Sequence, residues 1–310
     1  MKTAVSKLII LLLLIPAINI SSQDQQTRID SLVNLLKTAG REWNDYSIPL
    51  VGIGDPAVPS LVEVVKDRSL DQWNRRIAAM TLNSIHSSLW VQPALDILFD
   101  PAEDPVLQNQ VTAGLKGFRL EEVKDELWEL FKREKNEFYK SNLANLLVTA
   151  DTSLAYKAFT ELFINYDAHI QRDALARLVS IRPAESSMWF MKAIQGDDWM
   201  TSNYAMDSLI TSDHFDASKL LETYEEPGTG EEVRWRIVFV FGHRDEPESI
   251  PVLVKAMQEE SWLVHTEAAV GLCRFDPEYV IPEMKSLRND PEKHIRNNSR
   301  WVMKSIKDQL

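Results

Sequence analysis

A period of about 32 residues constrains this chain more than any other feature. Apolar or small side chains recur at offsets 0, 4, 8 and 11, which fall on one face of a 3.6-residue helix. Val264, Ala268, Leu272 and Phe275 form the clearest copy. Ile170, Ala174, Leu178 and Ile181 form another, as do Leu107, Val111, Leu115 and Phe118. Asn74 opens one copy with a polar residue, and Arg244 closes another with a charge. The copies start at 42, 74, 107, 139, 170, 201, 233, 264 and 295, so successive steps are 31 to 33 residues. Glu42, Tyr46, Leu50 and Ile53 are the most degenerate copy, as terminal repeats often are. Three apolar matches occur by chance in any helical protein, whereas eight consecutive steps this regular do not.

A second apolar helix precedes the periodic one in each unit. Examples are Pro56–Asp67, Val91–Phe99, Ser249–Gln258 and Tyr279–Leu287. Pro59, Pro93, Pro251 and Pro282 are expected near the starts of these helices, where a missing N–H costs little. Asp-Pro pairs at 55–56, 100–101, 104–105, 276–277 and 290–291 punctuate the helices. The unit is therefore helix–turn–helix, and neither helix buries its stripe without a neighbouring unit. Gly makes up 10 of 310 residues, about 3% against a usual 7%. That scarcity disfavours many-stranded, turn-rich folds. The expected fold is an all-α, right-handed α-solenoid of about nine helix pairs.

Residues 1–22 read as a secretory signal peptide: Lys2 and Lys7, then the apolar run Leu8–Ile15, then small residues ending in Ser21 and Ser22. Residues 23–310 are expected to form one continuous repeat array. No other stretch is long and apolar enough for a membrane span, so no stable membrane insertion is expected after cleavage. The expected destination is the periplasm or the extracellular space. The formal charge is −12, and −14 without Lys2 and Lys7, which disfavours nucleic acid as a partner. A single Cys precludes an internal disulfide framework.

The string GDPAVPSLVEVVKD (Gly54–Asp67), followed by RRIAAMTLNSI (Arg75–Ile85), resembles a HEAT repeat of the short bacterial type, also found in phycobilin-lyase-like proteins. Trp262–Leu287 has the same order of features. The resemblance runs from about residue 27 to 310, strongest at the two ends. It implies a solenoid whose second helices line a concave surface.

The sequence holds no specific catalytic pattern. Gly52-x-Gly54-x-x-Ala57 matches a dinucleotide fingerprint by letter, but a helix precedes it and Asp55-Pro56 follows, so it reads as a turn. None of the six His is followed by Glu, so the paired His-Glu motifs of the di-iron HEAT-repeat hydroxylases are missing. His265 and His294 lie near the starts of adjacent second helices, yet two ligands are too few for a metal site. Cys273 has no base readable beside it. No metal, cofactor or catalytic residue is assigned.

The resemblance directs attention to the second-helix surface. Its candidate partner-binding residues are Arg75, Arg76, Arg172, Arg234, Trp235, His265 and Arg296. Arg75, Arg234 and Arg296 share one offset and form either an inter-repeat ladder or a basic stripe for an acidic partner. Trp73, Trp199 and Trp262, just before the second helices, are expected to plug repeat junctions. The expected function is a non-catalytic scaffold that binds a protein or peptide on the concave face. The alternatives are a lyase-like enzyme and a structural envelope protein.

Overall fold

The computed structural model describes residues 22–213, 215–244 and 246–309. The expected signal peptide lies outside the described residues apart from Ser22. Among the described residues all regular structure is helical, in eighteen α-helices with short 3₁₀ turns. The chain divides into two compact units that meet at Asp151 and Thr152.

The N-terminal unit contains four helix pairs: α1 (Ser22–Leu36) with α2 (Trp43–Ile53), α3 (Val58–Lys66) with α4 (Gln72–Ile85), α5 (Val91–Phe99) with α6 (Pro105–Leu115), and α7 (Lys124–Arg133) with α8 (Glu137–Ala150). The C-terminal unit contains five: α9 (Thr152–Asn165) with α10 (Ala168–Ile181), α11 (Ser186–Ile194) with α12 (Trp199–Thr211), α13 (Ala217–Glu225) with α14 (Glu231–His243), α15 (Ile250–Ala256) with α16 (Trp262–Leu272), and α17 (Pro277–Leu287) with α18 (Lys293–Gln309). Second helices stack on second helices: α2, α4, α6 and α8 in one unit, α10, α12, α14, α16 and α18 in the other. This is α-solenoid packing in each unit.

The periodic positions carry the core. Val264, Ala268, Leu272 and Phe275 are buried, as are Leu107, Val111 and Leu115, and Tyr139, Leu143, Leu147 and Ala150. Each large apolar side chain so buried contributes roughly 1.5–3 kcal/mol. In the first copy Leu50 is buried as expected, but Ser47 rather than Tyr46 faces inward, its hydroxyl 2.8 Å from that of Thr81. Asn74 tolerates its core position because its amide donates to the carbonyls of Leu36 and Ala39, both at 3.0 Å. Arg244 donates to the carbonyls of Leu209, Ile210 and Ser212, which the end of α12 leaves without helical partners.

Helix starts follow the punctuation. Asp71, Asp104, Asn136, Asp198 and Ser261 accept from backbone N–H groups in the first turns of α4, α6, α8, α12 and α16. Gly54 has a φ of 76°, which accounts for the glycine that mimicked a nucleotide-binding fingerprint. Pro282 departs from expectation: α17 begins at Pro277, so Pro282 sits inside the helix rather than at its start.

Candidate functional site

In five repeats the residue one past the opening position has a common task. Arg75 Nε donates to the Val65 carbonyl at 2.7 Å, and Gln108 Nε2 to the carbonyls of Leu98 (3.2 Å) and Asp100 (2.7 Å). Arg234 donates to the carbonyl of Thr229 (2.8 Å), and Arg296 to those of Asp290 (2.5 Å) and Pro291 (3.1 Å). His265 Nδ1 lies 3.0 Å from the Glu259 carbonyl. In every case the acceptor lies at or just beyond the end of the first helix of the same pair, where carbonyls lack intrahelical donors. The column therefore locks those five hairpins.

Arg75 is buried and also grips Glu103 through two bonds, at 3.0 and 2.6 Å. Glu103 is partly desolvated, which raises its pKa. Its bonds to Arg75 and to the Asp104 N–H outweigh that effect and hold the carboxyl below its usual range. Arg234 pairs with Glu259 at 3.1 Å, and Glu259 also accepts from the Tyr224 hydroxyl. Arg76 is half-buried, its guanidinium 6.0 Å from the ring of Trp73. Arg172 is half-buried on α10. Arg75 is thus turned inward, whereas Arg76, Arg172, Arg234 and Arg296 keep partial exposure.

Trp235 does face an accessible surface. Its ring stacks on Trp199, with centroids 5.8 Å apart and planes at 22°. Its Nε1 donates to Glu267 Oε2 at 3.2 Å. Phe239 follows one turn along α14, 5.9 Å from Trp235, and His243 one turn further, 3.9 Å from Phe239. Trp235, Phe239 and His243 are all half-buried. The result is an aromatic track that begins on α12, runs along α14 and is tied to α16. Sequence reasoning missed it because Trp199 and Trp235 are 36 residues apart, one helical turn out of the repeat register.

Trp73 and Trp262 do not take the junction role expected of them, whereas Trp199, though half exposed, meets Trp235 of the next repeat. Trp73, Trp199 and Trp262 are 46%, 49% and 72% exposed. Each sits in the first turn of its helix, where the side chain stands clear of the packed face. Trp301 is exposed as well.

His265 and His294 stack with centroids 5.0 Å apart. Their contacts are with main-chain carbonyls, His265 Nδ1 with Glu259 and His294 Nε2 with Gln258. Among the described residues no group of three or more His, Cys, Asp or Glu could hold a metal ion. Cys273 donates to the Ala269 carbonyl, and burial pushes its thiol pKa up. No described helix is long and apolar enough to cross a membrane.

Residues 217–304, from α13 into α18, match the family described as HEAT repeats. A Candida albicans protein named deoxyhypusine hydroxylase is 24% identical over 253 residues, covering 78% of this chain and 67% of that protein. Human deoxyhypusine hydroxylase in complex with glycerol aligns over 93% of this chain and 98% of its own, at 14% identity and a TM-score of 0.35. The Escherichia coli protein YIBA aligns over 87% and 97%, at 10% identity and a TM-score of 0.45. The Candida albicans relative is named as an enzyme, which overturns the expectation that this chain is non-catalytic. The physical reason is that a helical-repeat frame sets no limit on the chemistry placed on it, and motif searches test only familiar spacings.

Proposed function

We propose that this chain is an exported repeat protein that binds a protein or peptide segment along the second-helix surface of its C-terminal unit. The observation that carries this reading is the track of Trp199, Trp235, Phe239 and His243. Large aromatic side chains that are packed yet partly open to solvent are the usual anchors of binding hot spots. Export rests on the pattern of Lys2, Lys7 and Leu8–Ile15. The test is cross-linking in the native host, followed by capture of tagged wild type and of a variant with Trp235→Ala and Phe239→Ala. Loss of a specific co-captured protein from a folded variant supports the reading, and unchanged capture overturns it.

The Candida albicans relative favours a second reading, an enzymatic role on the same frame. The di-iron arrangement of the HEAT-repeat hydroxylases does not fit the residues here. No His-Glu pair occurs in the sequence, and the described residues offer no three-ligand cluster. Metal analysis of the purified chain, with a hydroxylation assay on candidate protein substrates, tests this reading directly.

A further inference from the structure

We infer that the Trp199–Trp235 pair receives a guanidinium group, from an arginine in the bound segment. The inference deepens the partner-binding reading above and rests on it. Three second helices contribute. On α12, Trp199, Asn203 and Asp207 follow each other at four-residue spacing and so share a face. Trp199 is about half exposed and Asp207 is exposed, and the Asn203 amide donates to the Asp207 carboxylate at 3.4 Å. On α14, Trp235 stacks on Trp199. On α16, Glu267 accepts the indole N–H of Trp235.

The electrostatics of this cluster favour a cation. An indole face attracts positive charge through its quadrupole, and Trp does so best among the aromatic side chains. An anion hydrogen-bonded to the indole N–H pushes electron density into the ring and strengthens that attraction. Glu267 adds negative charge at the indole N–H edge of Trp235, and Asp207 lies two helical turns along α12 from Trp199 on the same face. Elsewhere in this unit Glu225, Glu232, Glu246 and Glu259 are each neutralised, by Lys255, Arg236, Arg244 and Arg234. Among the described residues Asp207 and Glu267 take no ion pair from Lys or Arg. The nearby arginines are committed, Arg236 to the carbonyls of Ile194 and Gly196 and Arg234 to Glu259. The chain as a whole carries −12, which complements a basic partner. Arginine suits the site better than lysine because its planar group stacks on a ring while its edges reach carboxylates.

The probe is a fluorescein-labelled peptide of alternating Gly and Arg, compared with the same peptide carrying citrulline or Glu in place of Arg. Anisotropy titrations at low and at physiological salt read the binding. The Arg peptide is expected to bind about tenfold more tightly than the citrulline peptide, a difference within the range of a desolvated cation–π contact. Trp199→Ala should remove most of that preference, and Glu267→Gln and Asp207→Asn should each reduce it at least about threefold. Trp199 is an exposed side chain, and unchanged helical circular dichroism confirms that its variant folds. Citrulline and Arg peptides binding within about twofold of each other, no binding of the Arg peptide, or binding indifferent to Trp199→Ala overturns the inference. If the citrulline peptide binds as well and still requires Trp235, the cation assignment falls while the partner-binding reading stands. That reading fails separately, through unchanged capture by the Trp235→Ala, Phe239→Ala variant.

Discussion

Gly242 on α14 and Gly271 on α16 face each other so closely that a Cβ built on either would stand 2.9 Å from the Cα of the other. The two helices meet backbone to backbone there, with Leu253 packed alongside. Gly271→Ala therefore opposes two effects. A helix-interior alanine gains about 1 kcal/mol over glycine. Overpacking a closed contact costs about 1–3 kcal/mol, and here the obstacle is main chain that cannot rotate away. A net loss of up to about 2 kcal/mol is expected from urea unfolding monitored by circular dichroism. A stabilised variant would show that α14 and α16 separate freely.

Removal of the Arg75 guanidinium takes the donor from the Val65 carbonyl and leaves the Glu103 carboxylate with the Asp104 N–H and Arg68, whose Nε is 3.7 Å away. Arg75→Ala should cost about 3–5 kcal/mol, the usual range for breaking one side of a buried pair. The same pair sets a pH dependence. The Glu103 pKa is lower in the folded chain than its reference value of 4.5. The unfolded chain therefore takes up the proton first as pH falls. The stability this pair supplies is complete above about pH 4.5 and drains away as pH drops through the folded pKa. Glu103→Gln should flatten the acid limb of the stability curve. An unchanged slope below pH 4.5 would contradict the lowered pKa.

Tyr139 has a buried hydroxyl with no hydrogen-bond partner among the described residues. Its desolvation has no compensation, and burial pushes the phenol pKa up, with Glu134 adding to the effect. Tyr139→Phe should leave the melting temperature unchanged or raise it. A loss beyond about 1 kcal/mol would reveal a bond to the hydroxyl that the structure lacks.

The Cys273 thiol should react slowly with a disulfide reagent at neutral pH, because burial raises its pKa and leaves little thiolate. Unfolding in guanidinium should bring the rate to that of a free thiol. Fast labelling of the native chain would place Cys273 in a more open setting.

The fold was legible because burial follows backbone periodicity. Leu272 and Leu115 are buried where a 3.6-residue repeat puts them. The tasks of polar side chains were far less legible. Arg75 and Arg234 share an offset, and the sequence alone cannot separate a surface stripe from an inward lock. The decisive hint was chemical: Arg, Gln and His alternate at positions 75, 108, 234, 265 and 296, and all can donate to a carbonyl. Charge is not what that column has in common. The Trp199–Trp235 contact was hidden for a geometric reason. Trp199 precedes the opening position of its repeat by two residues and Trp235 follows its own by two, so the rings meet one turn away from equal repeat positions. Trp73 and Trp262 at helix starts were misjudged because large apolar residues are usually buried, and here the first turn projects beyond the packed stripe.

The hairpin lock also bears on how such a chain could change its length over evolutionary time. Donor and acceptors of each lock lie within a single block of about 32 residues, as Arg296 with Asp290 and Pro291 illustrates. Duplication or deletion of one block carries the entire lock with it, while the carbonyls held across repeats, by Asn74, Arg236 and Arg244, fall at the new seams. Selection then has only the two new seams to repair, at positions such as Lys255 with Glu225, where polar residues tolerate exchange. Array length is thus an inexpensive variable for this architecture, open to revision by whole modules.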